Sequence, residues 1–335
     1  MWQHFEILGT GSDLPGNGVS ADEIERRAGL PAGWVERHTQ VTTRYECVRP
    51  ELPVTMAQRA IVRAMEDARL TWRDIDLLIE CSTSRHQPIP CNAAIVLSLF
   101  RPEADGVPGM DVQGTCLGFL LGLNIANALL ADPGGTCRRI LLVASEGALV
   151  GADWNHPESA TLLSDGAAAV IVGRREARQT YYFRHETWPE HVEECQVVGG
   201  GQRLPPFEYA RERDAEFRFR MTGPRLLRIA LKHLPPLVET LLDESGIGLA
   251  PESRERLLCI PHQASVHGVE AMRRRLEIPP GRFINRVAHL GNMAAASIPV
   301  VLDQLRREGI MIAEEPVLLL GTSAGYSQAG MIFTA

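Results

Sequence analysis

Three residues far apart in the chain stand where chemistry is usually presented: Cys116, His262 and Asn292. Cys116 closes a short polar turn, and an uncharged apolar run follows from Leu117 to Leu130, interrupted only by small residues and by Asn124 and Asn127. As a helix this run has no polar face, which predicts burial on every side. A cysteine at the start of such a helix meets the positive end of the macrodipole and the unpaired N–H groups of the first turn. Both favour the thiolate, and the cysteine's own N–H can point at an oxyanion. That is the equipment of an activated nucleophile. The alternative is an inert buried thiol, the usual fate of a free cysteine. His262 ends the apolar run RLLCIP, and Asn292 follows Gly291 ahead of an apolar helix. Element ends of this kind present functional groups. A hydrogen-bonded core histidine and a helix N-cap are the plainer accounts of these two.

The elements that would position them alternate between two periods. FEILGTGS (5–12), DIDLLIECST (74–83), GMDVQGTC (109–116), RRILLVASEG (138–147) and the run after the turn at 164–166 read as strands. MAQRAIVRAMEDARL (56–70) and CNAAIVLSLF (91–100) read as helices. In the second half, RLLRIALKHLPPLVETLLDESGI (225–247) reads as a helix kinked or broken at Pro235–Pro236. RLLCIPHQAS (256–265) and VLLLGTSAG with the run after it read as strands, and VHGVEAMRRRLEI (266–278) as a helix with a basic face. The halves echo each other. DLLIECST pairs with LLCIPHQAS, ILLVASEG with VLLLGTSAG, and the Cys116 turn with the Gly291–Asn292 turn. Alternation predicts an α/β fold, and the echo predicts two duplicated halves, 1–175 and 221–335. The irregular polar stretch between them, 176–220, is expected to be an insertion covering the site.

Composition narrows the function classes. The 335 residues have a net charge of −7, which is not the balance of a nucleic-acid or anionic-membrane binder. No apolar run reaches the 18 or so residues of a membrane span, and the N-terminal segment has no secretory pattern. Seven scattered cysteines without a CxxC pair fit a reducing cytoplasm better than a disulfide framework. No metal-ligand spacing such as HExxH is present.

With their local sequences, the three spots resemble β-ketoacyl-acyl carrier protein synthase III, a condensing enzyme of the thiolase superfamily. The segments that carry the resemblance are GTCLGF around Cys116, Pro261-His262-Gln263-Ala264-Ser265, Gly291-Asn292-Met293-Ala294-Ala295-Ala296-Ser297, Ser164-Asp165-Gly166-Ala167-Ala168-Ala169 and Ser323-Ala324-Gly325-Tyr326. The resemblance implies a five-layered αβαβα fold, a homodimer and a Cys-His-Asn triad. It implies an acyltransferase without a resident cofactor or metal, whose substrates are acyl and malonyl thioesters of coenzyme A or phosphopantetheine. Cys116 would hold the acyl group, the N–H groups of Cys116 and Ala324 would meet the oxyanion, and His262 and Asn292 would donate to the enolate left by decarboxylation. Asparagine is a neutral donor at any pH, which favours condensation over transfer to an alcohol or amine.

The same resemblance marks further residues and some departures. Trp34, His38, Phe119 and Ser265 fall at substrate-binding positions, and Ile89, in a proline-rich turn, at the loop that shapes a partner's acyl pocket. His38 stands where the family has an arginine for coenzyme A, and Asn155-His156-Pro157-Glu158 lacks a second one. Arginine forks hold phosphates, so the loss predicts a carrier-protein donor. Arg273, Arg274 and Arg275 would dock an acidic acyl carrier protein or else form a solvated basic face, and Arg211, Arg213, Arg218 and Arg220 would extend that patch or else pair with Glu208, Glu212 and Glu216. The expected role is in polyketide or other secondary metabolism. Fatty-acid initiation from acyl-CoA and simple acyl transfer are the alternatives.

Overall fold

Two mixed sheets form the frame. The computed structural model describes residues 1–48, 52–247 and 251–335. The strands of the first sheet are β1 (Trp2–Asp13), β2 (Leu77–Glu80), β3 (Gly109–Asp111), β4 (Arg139–Glu146) and β5 (Gly166–Thr180), set side by side as β1-β5-β4-β2-β3. The second sheet holds β6 (Tyr182–Thr187), β7 (Leu258–Pro261), β8 (Pro316–Ser323) and β9 (Ser327–Thr334), in the order β6-β9-β8-β7. With β3 set aside, the two orders correspond strand for strand. β2 is parallel to β4 as β7 is to β8, while β5 and β9 are antiparallel to both their neighbours. The echo read in the sequence is therefore a duplication of topology.

Both faces of each sheet are buried, which is why the strands read as continuous apolar runs. In β4, Ile140, Leu142 and Ala144 face a central core, while Leu141 and Val143 face an outer one. In β8, Val317 and Leu319 face the central core and Leu318 and Leu320 the opposite outer one. Helices α1 (Pro53–Ala68) and α2 (Asn92–Ser98) cover the first outer face. Helix α3 (Gly118–Leu130) lies in the centre; α4 (Gly223–Ser245) and α5 (Val266–Arg275) cover the second outer face; and α6 (Ser297–Arg307) joins α3 in the centre. The result is the five-layered αβαβα stack of the thiolase fold. Gly118 lets α3 press against the end of β2, since a Cβ there would lie 2.0 Å from the Cys81 carbonyl oxygen.

Three details differ from the sequence expectation. The C-terminal end of α3 surfaces at Ala128 and Leu129, so its burial is not complete. Helix α4 runs unbroken through Pro235 and Pro236. Each interior proline costs about 3 kcal/mol, but Leu234, Leu237, Val238, Leu241 and Leu242 are all buried on one face, and burial at about 2 kcal/mol each outweighs that. The division expected at 175/176 falls inside β5, and the supposed insertion contributes β6 to the second sheet. What remains between β6 and α4 has only short turns and a two-residue ladder joining Cys195–Gln196 to Arg220–Met221. Among the described residues, no helix is long and apolar enough to cross a membrane.

Candidate active site

One local device recurs in both halves. A 3-10 turn, Thr115–Leu117, feeds α3, and another, Ala294–Ala296, feeds α6. Each begins with a non-glycine residue in the left-handed region, Thr115 at φ 47° and Ala294 at φ 41°. Such backbone costs of order 1–3 kcal/mol and is held only where the surroundings fix it. The first turn carries Cys116; Asn292 stands two residues before the start of the second.

Cys116 lies deep yet open to a cavity, and the N–H groups of Cys116 and Ala324 both bear on its sulfur. Burial pushes its thiol well above the ordinary range; nearby Cys195 and Glu146 push the same way, and the two N–H groups oppose them. Burial wins, so the resting group is the thiol and not the thiolate expected from a helix start. To act as a nucleophile this thiol would need a base.

His262 follows β7, its N–H donating to the Leu320 carbonyl at 2.7 Å. The residue is 6% exposed, and Nδ1 has no hydrogen-bond partner among the described residues. Burial lowers its pKa to about 4, so at neutral pH the imidazole is uncharged, with one nitrogen donating and one accepting. Asn292 is gripped by its backbone. Its N–H donates to Leu162 O at 2.7 Å, and its carbonyl accepts from Ser164 N–H at 2.9 Å. Its Oδ1 accepts the Ala294 N–H at 2.9 Å, which turns Nδ2 the other way, where the nearest acceptor is Ala264 O at a long 3.4 Å. Asn292 thus keeps a donor in reserve.

Cys116, His262, Asn292 and Ala324, from four separate segments, line one cavity of about 400 Å³. Its wall is mostly apolar, with Leu226, Leu227 and Ala230 of α4 and Met221 beside it. Among the described lining residues Glu158 is the one acid, and none is a lysine or arginine.

The other residues singled out from sequence divide. His38 and Ser265 line the cavity; Ser265 also caps α5, accepting the Gly268 N–H at 3.0 Å. Trp34 stacks on His38 with ring centroids 4.3 Å apart, and His38 Nδ1 meets the Trp34 carbonyl at 2.8 Å. Phe119 is 1% exposed, belongs to the central core and does not line the cavity. Ile89 is 83% exposed and far from lining the cavity of its own chain. Arg273 and Arg274 both pair with Glu270, whose carboxyl they hold down to about 2. Arg275 is exposed and pairs with no acid among the described residues. Arg213 pairs with Glu208 and Glu216, Arg218 with Asp214, and Arg220 faces Asp153 at 3.7 Å.

Sequence reasoning missed Glu146, Cys195 and the lining role of Glu158. Glu146 ends β4, where an acid in an otherwise apolar strand was the available signal. It accepts from Thr83, Ser84 and Ala295, tying three site segments together. Glu158 accepts the Gly223 N–H at 2.8 Å, at the start of α4.

Comparison with known proteins finds relatives in sequence and in fold. Residues 110–187 match the family described as 3-oxoacyl-[acyl-carrier-protein] synthase III, and residues 252–335 match its C-terminal part. The β-ketoacyl-[acyl-carrier-protein] synthase III of Neisseria gonorrhoeae is 27% identical over 335 residues, covering 98% of this chain and 99% of the relative. Among solved structures, the priming β-ketosynthase of the R1128 polyketide biosynthetic pathway is 26% identical with a TM-score of 0.86, covering 99% of this chain and 96% of that one. The synthase III of Aquifex aeolicus VF5 shares the fold at 24% identity and a TM-score of 0.86, covering 99% of this chain and 100% of its own.

Proposed function

We propose that this chain, which belongs with the synthase III-like condensing enzymes and is an acyltransferase, loads an acyl group from an acyl carrier protein onto Cys116 and condenses it with a malonyl-type thioester. The observation that carries this reading is the convergence of Cys116, His262, Asn292 and Ala324 on one cavity. In the first half-reaction the thiol attacks the thioester carbonyl and His262, neutral at rest, takes its proton. The tetrahedral oxyanion is met by the N–H groups of Cys116 and Ala324, and the donor thiol leaves with the proton. In the second, a malonyl thioester loses carbon dioxide. Its enolate oxygen accepts hydrogen bonds from His262 and from Asn292 Nδ2, and its carbon attacks the acyl group, freeing Cys116. Two neutral donors suit this step, because neither gives up its proton to the enolate outright.

The preference for a carrier-held donor rests on the entrance. Trp34 already has an imidazole on its face, and the lining offers the phosphates of coenzyme A a carboxylate instead of a guanidinium. Arg275, exposed and paired with no acid among the described residues, is the cation α5 offers to a carrier's acidic surface. A role in polyketide or other secondary metabolism, with the chain acting as a homodimer, fits these departures and the likeness to a priming ketosynthase.

The deciding experiment is intact-protein mass after incubation with acyl-CoAs and with acyl-carrier proteins, on wild type and Cys116→Ala. A gain that needs Cys116 and a carrier donor, and that malonyl carrier protein discharges with release of carbon dioxide, is expected. Equal loading from acyl-CoA would sink the carrier argument and favour fatty-acid initiation. Discharge by an alcohol or amine without carbon dioxide would favour simple acyl transfer.

A further inference from the structure

A second thiol shares the catalytic cavity, and nothing in the condensing mechanism uses it. Cys195 is 8% exposed and lines the same wall space as Cys116. The other two buried cysteines, Cys81 and Cys259, are sealed in the cores with 0% exposure, and neither lines this cavity. We propose that Cys116 and Cys195 form a reversible disulfide under oxidation, a modification that closes the site to acyl thioesters and shelters the nucleophile from permanent damage.

Three features carry this. Cys116 and Cys195 open onto one cavity, and among the described lining residues they are the two cysteines, so a thiol oxidised there meets one thiol partner. The segments differ in rigidity. Cys116 is locked between β3 and α3, whereas Cys195 sits on a ladder of two residue pairs, with turn bonds such as Thr222 N–H to Glu194 O at 3.1 Å and Val198 N–H to Glu216 O at 3.1 Å around it. A segment held by a two-pair ladder and turns is a lower-stability unit than a sheet strand and can shift toward Cys116. Finally, the base is at hand: His262 lines the same cavity and is uncharged at neutral pH.

The chemistry balances with a peroxide as oxidant. Cys116 gives its proton to His262 and its sulfur attacks the peroxide O–O bond, yielding the sulfenic acid and, with that proton, one water. The Cys195 sulfur then attacks the sulfenic sulfur, forming the S–S bond and expelling a second water. The two thiols lose two hydrogens and the peroxide is reduced. Without Cys195 the sulfenic acid is left to further peroxide and proceeds to the sulfinic acid, which ordinary thiols do not reverse.

The test treats wild type and Cys195→Ala with hydrogen peroxide, maps unreduced peptides by mass, then adds dithiothreitol and counts alkylatable Cys116. Each protein is compared with itself before oxidation. Wild type should show a peptide pair joined through Cys116 and Cys195, lighter by two hydrogens, and should regain alkylatable Cys116 on reduction. The variant should accumulate the sulfinic acid and not recover. A cross-link to another cysteine, or sulfinic acid forming at the same rate in both proteins, overturns the proposal. If Cys195→Ala does not fold, the mapping of wild type still decides. Loss of function on oxidation rests on Cys116 being the acyl acceptor, but the bond does not. A cross-link without acyl loading would remove the functional reading alone, and loading without a cross-link would remove this one alone.

Discussion

Replacing Glu146 by Gln separates what its shape does from what its charge does. The carboxylate is fully buried at the end of β4. Oε1 accepts the N–H groups of Thr83 at 2.7 Å and Ala295 at 3.3 Å; Oε2 accepts the N–H of Ser84 at 3.0 Å and its hydroxyl at 2.7 Å. Three of the four partners are N–H donors, and the Ser84 hydroxyl is the one group among them that could accept a proton from this carboxyl. Burial raises this carboxyl, opposed by the Ser84 and Thr83 hydrogen bonds, and neighbouring Glu80 is pushed up to about 8 by burial, with the charge of Glu146 adding to the effect. Gln keeps one acceptor oxygen for the Thr83 and Ala295 N–H groups and turns an NH2 group toward Ser84, whose hydroxyl can rotate to accept while its N–H cannot. One buried donor left unpaired costs about 1–3 kcal/mol, taken as about 2 kcal/mol. At about 2 °C per kcal/mol for a chain of this length, Tm falls by about 4 °C. The nucleophile moves the other way. Glu146 is among the groups that push the Cys116 thiol up, so the uncharged amide lets it fall, and each unit is about tenfold in thiolate at a given pH. The assays are thermal denaturation and iodoacetamide alkylation of Cys116 followed by peptide mass across pH. A loosened site would raise alkylation at every pH alike, whereas loss of charge shifts the inflection to lower pH. An unchanged Tm, or an inflection that stays put or rises, would refute the reasoning.

Four other outcomes are expected. The acylation rate should hold well into acid and be half lost near pH 4, because buried His262 charges only there; a half-loss near the ordinary histidine range of about 6.5 would contradict its burial. The same shift has a stability sign. Between about pH 6.5 and about 4 the unfolded chain binds a proton that the folded His262 refuses, so denaturation midpoints should fall as pH drops through that window. Gly118→Ala puts a methyl group 2.0 Å from the Cys81 carbonyl oxygen and should cost more than about 3 kcal/mol in urea denaturation, unless α3 can slide away from β2. His38→Arg restores a phosphate donor and frees the face of Trp34, so loading from acyl-CoA relative to carrier donor should rise about tenfold by intact mass.

His262 was legible because it follows a fully buried strand and so stands at an abrupt change from apolar to polar residues. Cys116 and Asn292 stand instead at 3-10 turns, and the apolar helices that follow those turns made them visible. What the sequence hid depends on partners remote along the chain. The importance of Glu146 comes from donors at 83, 84 and 295, and no local pattern around ASEG shows them. Cys195 lies in a segment with almost no periodicity, so its approach to Cys116 is a fact of tertiary packing. Strand β6 was read as loop because its exposure pattern is largely half-buried and its residues, YFRHET, are polar and aromatic in alternation. Helix α4 defied its prolines for the opposite reason: one strongly buried face overrode local propensity.

Burial also explains why the resting thiol reacts only slowly, with peroxide as with other electrophiles, until a thioester arrives. It raises the Cys116 thiol and lowers the His262 imidazole, so the two ionised forms that would make a thiolate–imidazolium pair are both disfavoured in the empty cavity. Transfer of the proton from sulfur to imidazole is therefore strongly uphill at rest. A thioester changes the balance by moving the negative charge off sulfur and onto an oxygen that the Cys116 and Ala324 N–H groups are placed to receive. The proton then moves together with carbon–sulfur bond formation. Two alkylating agents test this. Iodoacetamide, which builds no tetrahedral oxyanion, should react with Cys116 far more slowly than a small acyl thioester loads it at the same pH. A Cys116 that alkylates at neutral pH as fast as a low-pKa thiol would show that the charge is already on sulfur, and the argument from burial would fall.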